Sequence, residues 1–89
     1  MRLARVVVDL PILEGRLRRK AGLAAGEVWS GARRRGVVRA RRLFCQVAVR
    51  GMGYAGAEVA RFLGVTTSAV NRLAMSEELP EVRKVLKVL

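Results

Sequence analysis

Histidine is absent from this sequence, and cysteine occurs once, as Cys45. A single cysteine excludes an internal disulfide. With no histidine and seven scattered acids, neither a zinc site nor a histidine-based catalytic dyad can be assembled within one chain. No GxxxxGK[ST] phosphate-binding loop is present, and nucleophile–base pairs are wanting. The sequence therefore does not read as an enzyme, and no cofactor, metal or small-molecule substrate is expected. Long apolar runs are missing too. The opening MRLARVVVDLP holds only Val6 to Val8 before Asp9, which does not make a signal peptide. Nothing approaches the roughly eighteen apolar residues of a membrane span. A cytoplasmic, nucleoid-associated location with no membrane partner is the expectation. Internal repeats, Gly/Ser linkers and heptads are absent as well.

Positive charge is abundant. Lys and Arg total 18 against 7 Asp and Glu, a formal charge of +11 on 89 residues. Such a domain repels itself and is drawn to polyanions. Fifteen of the eighteen cations are arginine, whose planar fork suits phosphates and guanine edges better than the point charge of lysine. Ten of the eighteen basic side chains lie between Arg16 and Arg42, where Glu27 is the one acid. At 52% hydrophobic and 28% charged, the composition fits a packed domain better than a disordered tail. The length allows one modest core.

Periodicity predicts an all-α chain. Residues 1–10 admit an edge strand, the stub of a preceding domain, or an arm; residues 11–89 read as one helical domain. Asp9 and Pro11 suit a helix start, and a helix to Ala21 places Leu13, Leu17 and Ala21 on one face until Gly22 breaks it. Ala24 to Ser30 reads as a short helix burying Val28 and Trp29. Gly31 to Gly36 (GARRRG) lacks apolar periodicity and predicts an exposed basic loop. From Val38, the stripe Ala40, Leu43, Phe44, Val47, Ala48 and Gly51 marks a core helix, with Arg39, Arg42, Gln46 and Arg50 largely off it. Cys45, inside this apolar run, reads as a buried thiol. Ser76 with Glu77 and Glu78 reads as the start of a last helix carrying Val82, Val85, Leu86 and Leu89.

The stretch from Gly56 to Leu73, GAEVARFLGVTTSAVNRL, has the frame of a helix-turn-helix over about residues 56–75. Two short helices crossing steeply around a tight turn need a small inner residue, supplied by Ala60. The turn needs a residue free to take positive φ, supplied by Gly64. Val70 and Leu73 dock the second helix, Val59, Leu63 and Val65 complete the small core, and Thr66 or Thr67 caps it. Thr67, Ser68, Ala69, Asn71 and Arg72 are left outward, with the hydroxyl, methyl, amide and guanidinium chemistries that read base edges. Arg61 faces outward from the first helix as a positioning contact. An ordinary helical hairpin with a glycine turn is the plain alternative. The charge, an independent line, favours double-stranded DNA as the partner.

Glu27 to Leu73 resembles the C-terminal DNA-binding domain of the bacterial replication initiator, the DnaA family, a Trp-repressor-like helical fold. The short helix ending in Ser30, the arginine-rich loop running into Val37-Val-Arg-Ala-Arg41, the long helix and the helix-turn-helix follow in the family's order. About half the chain is covered. The resemblance implies that Arg35 enters the minor groove. It also implies that Arg39 and Arg41 contact DNA beside the recognition helix. Independently of the resemblance, the basic loop and helix start offer Arg33, Arg34 and Arg42 as phosphate contacts, with Thr66 as a further positioning contact. Two features depart from the family: Thr66-Thr-Ser-Ala69 replaces an acidic-His-Thr-Thr run, and the turn before it is a residue shorter. The initiator's DNA site is therefore not expected here, and its ATPase half is not in this chain. GYAGAEVARFLGVTTSAV is also similar to tails of transposases that process repetitive extragenic palindromes, which implies a catalytic or ATPase domain outside this chain.

Two other classes compete. A basic structured-RNA-binding domain would share the charge, but the aromatics that stack bases are only Trp29, Phe44, Tyr54 and Phe62, three of them at expected core positions. An amphipathic membrane-surface helix at Leu13 to Ala21 would be short, and its apolar residues are needed for the core.

Overall fold

The computed structural model describes residues 9–23 and 35–88, and every regular element among them is helical. They are α1 (Leu10–Ala21), α2 (Arg35–Cys45), α3 (Gly56–Leu63), α4 (Thr67–Met75) and α5 (Glu81–Val88). A π-helical turn over Gln46–Gly51 continues α2. α1 packs on α2, α4 on α2, α3 and the π turn, and α5 on the π turn. The short helix expected over Ala24 to Ser30, with Val28 and Trp29, lies outside the described residues, as do Arg33 and Arg34.

Local chemistry sets the limits of α1. The Asp9 carboxylate accepts the Ile12 N–H at 3.0 Å, and Pro11 occupies the first turn, where its missing N–H costs nothing. At the other end Gly22 takes φ +72°, the Gly22 N–H reaches Arg19 O at 3.1 Å and the Leu23 N–H reaches Arg18 O at 3.0 Å. That pair of bonds is a Schellman closure. Leu10, Leu13 and Leu17 are buried, with Glu14 beside them holding Arg18 at 3.2 Å. Ala21, expected on this face, is exposed, because the chain turns away at the next residue.

α2 begins earlier than its stripe suggested. Arg35 and Gly36, expected in a loop, open the helix, because Val37 is fully buried and extends the Ala40–Phe44 face by a turn. Past Cys45 the helix widens, and the Met52 N–H bonds five residues back to Val47 O at 2.9 Å. Phe44 to Ala48 are consequently buried as an unbroken run, Gln46 among them. Gln46 was expected off the core face; the widened turn brings it inside. Gly51 ends the segment under Leu86 of α5, whose Cδ2 would lie 2.6 Å from any Cβ placed there. Phe44 stacks on Phe62 of α3 with ring centroids 5.7 Å apart.

α3 and α4 are joined through Gly64, at φ +72°, where the Gly64 and Val65 N–H groups both bond Ala60 O, at 2.9 and 3.0 Å. Thr66 caps α4, its Oγ1 accepting the Ala69 N–H at 3.1 Å. Val59, Ala60, Leu63, Val70 and Ala74 are buried and Leu73 is partly so. Val65, expected in this core, is 37% exposed, since the left-handed residue before it swings it to the outside of the turn. Ser76 does not start the last helix. Its Oγ donates to Leu73 O at 2.6 Å and closes α4; Leu79 is buried, and α5 starts after Pro80 with Val82 and Val85 inward. Leu89 lies outside the described residues.

Candidate nucleic-acid interface

α4 is seated by one face and open on the other. Val70 and Ala74 are buried, whereas Thr67, Ser68, Asn71 and Arg72 are exposed on a single arc, and Ala69 is half-buried at its edge. Thr66 is exposed at the N-terminal end of that arc, with its hydroxyl committed to the cap. No acidic residue occurs between Glu58 and Glu77. The α4 arc itself therefore presents donors, acceptors and one cation, and carries no carboxylate of its own. Arg61 on α3 is exposed as expected, and among the described residues neither it nor Arg72 has a hydrogen-bond or ion-pair partner.

The opposite end of α4 is held by three residues of α2 and the π turn, Arg42, Gln46 and Arg50. Arg42 donates through Nε to Ser76 Oγ at 2.9 Å and through Nη2 to Glu77 O. Gln46 Nε2 donates to Glu77 O at 2.9 Å and to Ser76 Oγ at 3.1 Å, while its Oε1 accepts the Leu79 N–H at 2.9 Å. Arg50 lies 3.5 Å from Ala74 O and 3.8 Å from Glu78. Two cations thus meet the negative end of the α4 dipole, and the last carbonyls find donors. With its C-terminus anchored, α4 offers its N-terminal turns outward.

The other arginines expected at phosphates divide by environment. Arg39 forms a two-pronged pair with Glu81 of α5, Nη2 at 2.7 Å and Nε at 3.0 Å from Oε2. The Arg39 hydrogen bond holds the Glu81 carboxyl below the usual carboxylate range. Arg35, Arg39 and Arg42 border one shallow groove on α2 with Val38. Arg35 is exposed and lies within α2, so its guanidinium issues from a helical residue and not from a loop. Arg41 is half-buried and engaged within the fold. Cys45 is buried, and that burial pushes its thiol up to about 12 against the lowering pull of Arg41.

Sequence reasoning did not find Gln46 or Gly56. A polar residue in a helical stripe reads as outward unless a π turn is foreseen, and the partners of Gln46 lie about thirty residues ahead. Gly56 opens α3 at ordinary helical geometry, but any Cβ there would collide with the Asn71 amide. Among the described residues there is no group of three or more potential metal ligands, and no helix is long and apolar enough to cross a membrane. No protein-family model, curated protein or solved structure matches the chain.

Proposed function

We propose that the chain is a duplex-DNA-binding module in which α3, the Gly64 turn and α4 form a helix-turn-helix. α4 lies in the major groove, and Thr67, Ser68, Ala69, Asn71 and Arg72 face base edges. Arg61, Thr66 and the arginines of α2 contact the backbone, and Arg35 reaches the adjacent minor groove, as the initiator resemblance implies. The observation that carries this reading is the acid-free, exposed arc of α4 on a chain of net charge +11. The role is that of a recognition module like those of replication initiators or transposase tails, at work in the nucleoid with a catalytic or ATPase partner domain.

Competition between duplex DNA and structured RNA tests the reading. Duplex should bind more tightly, and log K should fall with log salt at a slope of about −4 to −7, roughly 0.9 per phosphate contact. Tighter binding to structured RNA would favour an RNA-binding domain instead.

A further inference from the structure

Asn71, on the exposed arc of α4, has its side-chain amide laid across the first residue of α3. A Cβ built on Gly56 would collide with Asn71 Oδ1 and come within 3.3 Å of its Cγ, whereas Nδ2 stays 3.7 Å off. Gly56 has no backbone reason to be glycine. It is the first residue of α3, and positive φ among the described glycines is confined to Gly22, Gly53 and Gly64. Alanine would be the better helix former at this position. The hydrogen in place of a methyl group makes room for one thing, the Asn71 amide.

We infer that Gly56 is a specificity-determining positioning residue: its missing side chain lets the Asn71 amide rest against the start of α3, oxygen inward, leaving Nδ2 as the outward donor. The inference rests on the DNA-binding reading above. The orientation has a physical cause. The Glu58 N–H already bonds Ala55 O at 3.0 Å, but the N–H groups of Gly56 and Ala57 have no intrahelical acceptors, so that end of the helix is positive and favours an oxygen over an NH2 group. Asn71 held this way offers a donor to the major groove. It can meet guanine O6 or N7, or thymine O4. The two-bond recognition of adenine needs both amide atoms free and is excluded.

Packing fixes a rotamer that would otherwise wander, and a fixed donor discriminates where a mobile one averages over neighbouring bases. Gly56→Ala displaces the Asn71 amide and changes no other side chain on the DNA-facing arc of α4. Its consequence should be loss of discrimination, with phosphate contacts and hence non-specific binding unchanged.

The test is a double-mutant cycle on the full 89-residue chain, combining Gly56→Ala, Asn71→Ala and both. Two readouts are needed: binding to the wild type's selected duplex and a scrambled one, and thermal unfolding without DNA. Gly56→Ala should weaken the selected duplex about fivefold or more and leave the scrambled duplex unchanged, and it should add nothing once Asn71 is alanine. Without DNA, Gly56→Ala should raise Tm by about 2–8 °C in the Asn71→Ala background and by less in the wild type. Additive Tm changes would overturn the contact. A preferred duplex that survives Gly56→Ala unchanged would overturn the positioning role alone, while a wild type with no preferred duplex would overturn the DNA reading and this inference with it. An adenine preferred at the position Asn71→Ala ceases to discriminate would overturn the donor orientation.

Discussion

Gln46 accepts the Leu79 N–H at 2.9 Å across 33 residues of chain, and in doing so joins the π turn to the segment that links α4 to α5. Both residues are buried, so neither hydrogen-bonding group has water to fall back on. Gln46→Met keeps the volume and strands the Leu79 N–H. It should lower the unfolding free energy by about 2–3 kcal/mol. Urea unfolding followed by circular dichroism measures this, and a loss under about 0.5 kcal/mol would mean the clamp is not what anchors α4.

Burial that pushes the Cys45 thiol up to about 12 leaves almost no thiolate near neutrality. A maleimide or aromatic disulfide at pH 7.5 should modify the folded chain at least about a hundredfold more slowly than the urea-unfolded chain. Equal rates would show that the α2 core opens far more readily than its packing implies.

Arg39 is held by Glu81 and must leave it, or share it, to meet a phosphate. Glu81→Gln should therefore strengthen duplex binding and steepen the salt slope, by up to about 0.9. The stability effect at neutral pH should stay below about 1 kcal/mol, because both groups are substantially solvated. The folded carboxyl sits below its ordinary value, so its small contribution is present above the carboxylate range and fades as pH falls through the lowered value. The variant's acid-unfolding limb should be correspondingly flatter. Unchanged or weaker duplex binding by Glu81→Gln would take Arg39 out of the interface.

Arg35 tests the initiator-like docking. A narrow A·T-rich minor groove concentrates negative potential, so Arg35→Ala should lose about fivefold more affinity on duplexes with A·T flanks than on G·C flanks. Arg33→Ala should lose equally on both. Flank-independent loss at Arg35 would leave the helix-turn-helix in place and remove the minor-groove contact.

What was legible in the sequence was local. Asp9, Gly22, Gly64 and Thr66 act on backbone within three to five residues, and each does what its chemistry predicts. The apolar faces of α3 and α4 followed from spacing, except at Val65, where a left-handed glycine redirects the next side chain. Ser76 misled because a hydroxyl after one helix and before another can serve either, and here Leu73 O captures it. Gln46 was illegible for a different reason: its direction depends on a π turn and on an N–H in a distant segment. Of the candidate site, the exposed arc of α4 was readable from composition and period. The division of the arginines between solvent and internal partners was not, because it depends on where Glu81 and the end of α4 come to rest.

The most direct measurement is selection of bound duplexes from a random pool with the wild-type chain, repeated with Ser68→Ala. The wild type should enrich a short defined motif and bind it at least about tenfold more tightly than random duplex, and Ser68→Ala should lose about 1–3 kcal/mol on that motif with little change on random DNA. A pool that stays random through selection, or a motif that Ser68→Ala, Asn71→Ala and Arg72→Ala all bind as well as the wild type does, would contradict the assignment of α4 as the reading helix.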